Sequence, residues 1–204
     1  MHFLEKKLKK DHWNVINWKY PSRDYTIPEH GAILVHKLID LAASKPEKPI
    51  HFVTHSMGGL VLLAALNDPL CPDEAKMGKV VLIAPPLKGS YWGRWLGQFS
   101  IARWIAKDFA GRELMTQSSF DDLGSYPDSL EGILVIAGTF GFNPLLIGKN
   151  DGTVALRETF LSVPHERAVI KRGHKTIIFS KKTYRLISQF FEKENCKRLE
   201  DESA

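Results

Sequence analysis

The turn Thr54-His55-Ser56-Met57-Gly58-Gly59 joins an apolar run at residues 50–53 to a helix-like run at residues 60–66. It requires a strand and a helix side by side, which excludes all-helical and all-strand folds. A strand that reverses into a helix within a few residues pushes its central side chain into the open on a strained backbone. Ser56 is therefore predicted to present an exposed hydroxyl. The common pattern is G-x-S-x-G, and Thr54, in place of the first glycine, suits a strand but narrows the space.

The helix that follows the turn begins next to Ser56 and directs free backbone N–H groups toward it. The N–H of Met57 is the nearest of these in the sequence. A negative charge that forms beside the Ser56 hydroxyl would be stabilised by that group. Met57 is therefore the candidate backbone donor of an oxyanion site.

Apolar strands and amphipathic helices alternate along most of the chain, which is typical of an α/β fold with a mostly parallel sheet covered on both faces. Helices are predicted at residues 2–10, 29–43 and 181–194. Buried strands are predicted at residues 50–54, 79–84 and 132–138, a strand nearer an edge at 167–170, and an extended strand at 13–20. The helix at 29–43 has an apolar stripe that includes Val35, Leu38 and Ile39.

The 204 residues are enough for one sizeable core, and we expect a single domain over residues 1–204. The net charge of +5 comes partly from lysine clusters of the kind found on solvated helix faces, and no nucleic-acid recognition motif accompanies it. No apolar stretch reaches the roughly 18 residues that span a bilayer. The cysteines, Cys71 and Cys196, fit no metal-ligand spacing. We expect no nucleic-acid partner, no transmembrane segment and no metal site.

The stretch at residues 85–130 interrupts the alternation and is too long for a simple connection. We expect an inserted cap or lid over about residues 86–130. Aromatic residues are interleaved with basic ones here, so that one side of a helix would be apolar and the other basic. The candidate substrate-binding residues of this cap are Trp92, Trp95, Phe99 and Trp104. Their rings could pack the cap onto the core, line a site for an apolar substrate, or form a lid that makes transient contact with a lipid surface.

A serine hydroxyl needs a base with a proton affinity near neutral pH, which histidine provides. In a strand-turn-helix architecture the base follows the last strand, and His174 lies just after the predicted strand at 167–170. His165 precedes that strand and would lie at the opposite end of the sheet. His55 is next to the serine, but we expect the reversal of the turn to direct its side chain elsewhere, into a packing role. His174 is the predicted base.

A buried carboxylate must hold the imidazole in the right tautomer, and in this architecture it lies between the serine and the histidine in chain order. Asp151 follows the predicted strand at 132–138 and is the candidate. The segment Asn-Asp-Gly at this point is also a common tight turn, which is the alternative interpretation. Three other aspartates, Asp121, Asp122 and Asp128, precede the strand and would lie at its other end.

Taken in order, these residues resemble the bacterial serine esterases and lipases of the α/β-hydrolase fold. The resemblance covers nearly the whole chain and depends on motifs in the family's order: Tyr20-Pro21-Ser22-Arg23, the turn around Ser56, Ala84-Pro85-Pro86 with Gly89-Ser90, Asn150-Asp151-Gly152-Thr153-Val154, and Gly173-His174. It implies ester hydrolysis through an acyl-enzyme, with Ser56 as nucleophile, His174 as base and then acid, and Asp151 as its orienter. It also implies that no metal or organic cofactor is needed.

The chain departs from the family at its N-terminus. In the family a strand ending in His-Gly precedes the opening helix, and the loop after it gives the second backbone donor of the oxyanion site; here nothing precedes Met1. That strand would lie between those at 13–20 and 50–54, and its absence would leave a gap of roughly 9.6 Å. We hypothesise that the natural product starts upstream; otherwise the strand at 13–20 must slide against 50–54. Losing one donor would lower the rate by about 10²- to 10³-fold.

The sequence thus predicts a hydrolase of carboxylic esters that acts on a small-molecule or lipid ester. Two alternatives stay open. One is a catalytically silent or impaired hydrolase-fold protein that binds an acyl ligand or a partner. The other is a thioesterase, amidase or acyltransferase with the same triad. The absence of a signal peptide favours a cytoplasmic location only if the N-terminus is complete.

Overall fold

The computed structural model describes residues 1–21, 24–87, 120–141, 143, 146 and 148–201, with only the backbone of residues 121 and 194–201. These ranges contain five α-helices and four β-strands. In chain order they are α1 (His2–Lys10), α2 (Ile27–Ser44), β1 (Phe52–His55), α3 (Gly58–Leu66), α4 (Asp73–Met77), β2 (Lys79–Ile83), β3 (Gly132–Gly138), β4 (Glu166–Ile170) and α5 (Lys181–Asp201). Short 3-10 turns lie at Asp121–Leu123, Leu156–Thr159 and Ile177–Phe179.

The four strands form one sheet in the order β1-β2-β3-β4, and each neighbouring pair is parallel. The predicted α/β class is confirmed. The predicted helix at 2–10 and strand at 132–138 have the bounds of α1 and β3, and β4 lies at an edge of the sheet as expected. The last helix is longer than predicted, because α5 continues to Asp201.

Helices cover both faces of the sheet. All five residues of β2 are buried: Val80 and Leu82 belong to a core with α2, α3 and α4, whereas Val81 and Ile83 belong to a second core with α1 and α5. Successive side chains of a strand point to opposite faces, so the continuous apolar run of β2 fills both cores at once. Within α2, Val35 and Leu38 are buried as predicted.

Residues 13–20, predicted as an extended strand, lie outside the sheet. Within the described residues β1 pairs with β2 alone, so the segment does not slide against β1 as one of our expectations required. Aromatic packing holds it instead, since the ring of Trp13 lies 5.6 Å from the ring of His51 and 5.2 Å from that of Phe191. Ile39 is a second difference: it belongs to the predicted stripe of α2 but is 39% exposed.

Helix α3, which follows the Ser56 turn, is held against its neighbours by two close contacts. A Cβ atom on Gly31 of α2 would lie 2.8 Å from Cβ of Ala64, so the two helices approach more closely than a larger residue at position 31 allows. On the other side the buried Tyr126 hydroxyl donates a hydrogen bond of 2.9 Å to the carbonyl of Gly59. The bond from Tyr126 holds the first turn of α3, next to the Ser56 turn, and the close approach at Gly31 holds the second half of the helix against α2.

None of the helices in the described ranges is both long enough and apolar enough to cross a bilayer. The longest, α5, has 21 residues but carries charged side chains along its length.

We predict that Tyr126→Phe lowers the free energy of unfolding by about 1 kcal/mol, because the variant loses a hydrogen bond in a buried place without creating a large cavity. Urea denaturation of the two proteins measures the difference. Tyr25→Phe is the matched control, since Tyr25 is 42% exposed and the same change there should stay within about 0.5 kcal/mol. Equal losses in the two variants would contradict the structural role of the Tyr126 hydroxyl.

Candidate active site

Ser56, Asp151 and His174 lie on loops that leave the same edge of the sheet. Ser56 directly follows β1, Asp151 lies on the loop after β3, and His174 lies four residues after β4 ends at Ile170. Because the strands are parallel, their carboxyl ends all meet at this edge. Residues that are far apart in the sequence are therefore brought together here.

Hydrogen bonds join the three side chains in a continuous row. Nε2 of His174 lies 2.9 Å from Oγ of Ser56, and Nδ1 of His174 lies 2.8 Å from Oδ2 of Asp151. A carboxylate only accepts hydrogen bonds, so Nδ1 of the neutral imidazole carries the proton and Nε2 is left to accept from the serine hydroxyl. This is the tautomer in which a histidine can remove a proton from a serine.

The backbone of Ser56 is in the left-handed region, with φ +55°, which a serine rarely adopts. Its N–H donates to the carbonyl of Ile83 at 2.9 Å, so the turn is anchored to the end of β2. The predicted narrowing at Thr54 is mild: a Cβ atom on Gly58 would lie 3.7 Å from Cβ of Thr54, an ordinary contact. A threonine thus fits where the common pattern has glycine.

The carboxylate of Asp151 is held by its own loop. Oδ1 accepts hydrogen bonds from the N–H groups of Thr153 and Val154, at 3.0 and 2.7 Å, which leaves Oδ2 for His174. The side chain is 1% exposed. The loop is also the tight turn that the sequence suggested, since Gly152 has φ +96°. The two interpretations of this segment are compatible, because the turn supplies the N–H groups that orient the carboxylate.

Met57 lies at the start of α3, as its N-cap residue. Its carbonyl accepts hydrogen bonds from the N–H groups of Leu60 and Val61, at 3.0 and 3.1 Å, which are the first bonds of the helix. The first backbone N–H groups of a helix have no partner within the helix. The N–H of Met57 is one of these groups, and it directly follows Ser56 in the chain. Its role as an oxyanion donor remains a prediction.

Several solved structures of enzymes are similar in fold to this chain. The chain is similar to the mature form of the lipase BlEst2 from Bacillus licheniformis, with 22% identity and a TM-score of 0.68 over 84% of this chain and 76% of that one. The chain has the α/β-hydrolase fold. It is also similar to the phospholipase PlaB from Legionella pneumophila (13% identity, TM-score 0.62, 91% of this chain and 54% of that one) and to the esterase Pf2001 from Pyrococcus furiosus (18%, 0.52, 87% and 65%).

No protein-family model matches the sequence, and no curated protein matches it at a significant level. All three solved structures described above are less than 25% identical to this chain. They therefore establish the α/β-hydrolase fold, and the chemistry of this chain has to be inferred from its own residues.

Other candidates from the sequence lie elsewhere on the α/β-hydrolase fold. His165 directly precedes β4, and its Nδ1 lies 2.8 Å from the carbonyl of Val163, at the end of the strand opposite to His174. Asp121, Asp122 and Asp128 precede β3 in the chain. The four aromatic residues of the predicted cap, Trp92, Trp95, Phe99 and Trp104, lie outside the described residues.

The sequence predicts that the turn directs His55 away from the site and that its ring has a packing role; the first part is wrong, whereas the ring does pack, against that of His174. Its Nε2 lies 2.9 Å from the backbone carbonyl of His174, and the two rings are 4.9 Å apart. Burial, and then the charge of His174, lower the pKa of His55 from 6.5 to about 4. The position next to the serine was the only sequence signal, and it does not reveal a contact with a residue 119 positions away.

Gly138, the last residue of β3, lies where the loops of the acid and the base meet. A Cβ atom there would lie 2.5 Å from the carbonyl oxygen of Arg172 and 2.8 Å from Cβ of Asp151. We predict that Gly138→Ala lowers the free energy of unfolding by about 1–3 kcal/mol, because backbone rather than a flexible side chain must move. Gly132→Ala, at the other end of β3, is the control, since its Cβ would meet only the Phe190 ring, at 3.3 Å. Equal losses in denaturant titrations would contradict this prediction.

The low pKa of His55 predicts a pH dependence of stability. Below pH 6.5 the unfolded chain binds a proton at His55 that the folded chain excludes until about pH 4. The contribution of neutral His55 to the free energy of unfolding is therefore complete above pH 6.5. It is lost as the pH falls toward 4, by roughly 3 kcal/mol in total. His174, Asp151 and the N-terminal amino group, whose charges also act on His55, are present in both the wild type and His55→Gln. The unfolding free energy of the wild type minus that of His55→Gln should fall by that amount from pH 7 to pH 4. A difference that stays constant over this range would refute the prediction.

Proposed function

We propose that this chain is a serine hydrolase that cleaves carboxylic esters through an acyl-enzyme on Ser56. The observation that carries the proposal is the row of hydrogen bonds from Oγ of Ser56 through the imidazole of His174 to the carboxylate of Asp151, at 2.9 and 2.8 Å. The row contains a nucleophile, a base and a residue that fixes the tautomer of the base, in the order that acyl transfer needs.

In the first half of the reaction Oγ of Ser56 attacks the ester carbonyl carbon while Nε2 of His174 removes the hydroxyl proton. Asp151 stabilises the imidazolium that forms, without taking its proton. The carbonyl oxygen becomes an oxyanion, for which the N–H of Met57 is the donor that we propose. When the tetrahedral intermediate collapses, the bond to the leaving oxygen breaks, and the imidazolium gives its proton to the departing alcohol.

In the second half a water molecule attacks the acyl-enzyme, and His174 again acts as the base. Collapse of the second intermediate returns the proton to Oγ of Ser56 and releases the carboxylic acid. The cycle consumes one ester and one water, and it leaves the three side chains as they began. No step requires a metal or an organic cofactor.

The class of substrate is suggested by the names of the structural neighbours, which are a lipase, a phospholipase and an esterase. All three names refer to enzymes that act on lipids or esters. We therefore propose a small-molecule or lipid ester as the substrate of this chain.

The proposal predicts that a fluorophosphonate probe labels the wild-type protein at Ser56 and does not label Ser56→Ala. The same substitution should abolish turnover of a short-chain aryl ester, because it removes the hydroxyl that we propose forms the acyl-enzyme. Intact-mass spectrometry measures the adduct, and peptide mapping locates it.

Ser129→Ala is the matched control, since Ser129 lies before β3 and its hydroxyl donates to the carbonyl of Lys76, away from the site. It should be labelled as fast as the wild type. Undiminished labelling of Ser56→Ala would refute the assignment of the nucleophile. A wild-type protein that forms no adduct at high probe concentration would instead be a silent hydrolase-fold protein.

A further inference from the structure

His55, the last residue of β1, and Ser56, the residue after it, each make a contact with His174. We call the loop after β4 that carries His174 the base loop, and the loop after β3 that carries Asp151 the acid loop. Oγ of Ser56 meets Nε2 of His174 at 2.9 Å, and Nε2 of the preceding residue, His55, meets the backbone carbonyl of His174 at 2.9 Å. A carbonyl oxygen only accepts hydrogen bonds, so Nε2 of His55 must carry a proton and donate it. Two consecutive residues therefore hold His174: His55 contacts its backbone, and Ser56 contacts its ring.

The backbone of His174 is fixed from its other side by the acid loop. Its N–H donates to the carbonyl of Asp151 at 2.9 Å, while the side chain of the same aspartate accepts from the ring. The bond from His55 is thus the contact that ties the base loop to the strand of the nucleophile through the backbone. Gly173 directly precedes His174, and a glycine increases the range of backbone conformations that such a loop can reach.

We propose that His55 is a positioning residue, whose Nε2–H hydrogen bond to the carbonyl of His174 keeps the imidazole of His174 within reach of the Ser56 hydroxyl. His55 does not touch the substrate or the reacting atoms. It acts through His174, because a shift of the base loop by about 1 Å is enough to lower a rate by 10²-fold. The inference rests on the proposed serine hydrolase and adds a further residue to its machinery.

The charge state of His55 fits this role. The rings of His55 and His174 are 4.9 Å apart, so a positively charged His55 would oppose the imidazolium that His174 must become. Burial keeps His55 neutral at neutral pH. A neutral imidazole with its proton on Nε2 donates the same hydrogen bond without adding a charge that disfavours proton transfer. The carboxylate of Asp151 and the N-terminal amino group of Met1 also act on His55 through their charges.

The test compares two substitutions of similar size. His55→Gln places an amide N–H close to the position of Nε2 and retains the donor, whereas His55→Phe retains a ring and removes the donor. With a short-chain aryl ester, we expect His55→Phe to lower kcat by about 10- to 100-fold with KM changed less than about threefold, and His55→Gln to keep kcat within about threefold of the wild type. Thermal unfolding shows whether each variant is folded, and His55→Met replaces the phenylalanine variant if that one is not.

Two outcomes overturn the proposal. One is a folded variant without the donor whose kcat stays within about twofold of the wild type. The other is a loss in His55→Gln equal to that in His55→Phe, which would mean that the ring itself, rather than its N–H, supports the site.

A readout that needs no turnover separates this proposal from the proposed function. The Nδ1 proton that His174 shares with Asp151 is expected as a low-field proton NMR signal, which Asp151→Asn removes and thereby assigns. We expect the signal to persist in His55→Gln and to broaden or disappear in the variant without the donor. An unchanged signal there refutes positioning even if the hydrolase is active. A lost signal supports positioning even if the wild type forms no fluorophosphonate adduct.

Discussion

The parallel alignment of the strands is the constraint on which the rest of the structure depends. Since β1, β3 and β4 all run in the same direction, the loops that carry Ser56, Asp151 and His174 leave the sheet at one edge. The connection from β1 to β2 runs through α3 and α4, which cover one face of β2, whereas α1 and α5, which lie before β1 and after β4, cover the other face.

Much of this architecture follows from local patterns in the sequence. The bounds of α1 and β3 are the ones that the apolar periodicity predicts. The order of Ser56, Asp151 and His174 relative to their strands also predicts that they share an edge, because that inference needs only chain order and parallel pairing. The triad geometry itself, at 2.9 and 2.8 Å, becomes visible only in the folded chain.

What the sequence does not reveal depends on contacts between distant segments. Residues 13–20 have the alternation of a strand, but a strand needs a partner, and Trp13 packs on His51 and Phe191 instead. The reversal of the turn predicts that His55 points away from the site, but its Nε2 lies against the backbone carbonyl of His174, 119 positions later, and nothing in the local sequence indicates that contact. Thr54 was expected to crowd the turn, whereas the spacing to Gly58 is ordinary. For residues 13–20 and for His55, contacts between distant segments determine the structure and local propensity does not encode them, whereas the spacing at Thr54 is set by the backbone of the turn itself.

The left-handed backbone of Ser56, with φ +55°, has a consequence for how this protein can evolve. Holding a residue with a side chain in that region costs on the order of 1–2 kcal/mol, and Ala84, at the end of the neighbouring strand, is held there as well, with φ +48°. Glycine at position 56 would relieve the strain but remove the hydroxyl. Selection for stability alone would therefore erode this turn, and a lineage that no longer needed the serine would be free to gain stability by losing it.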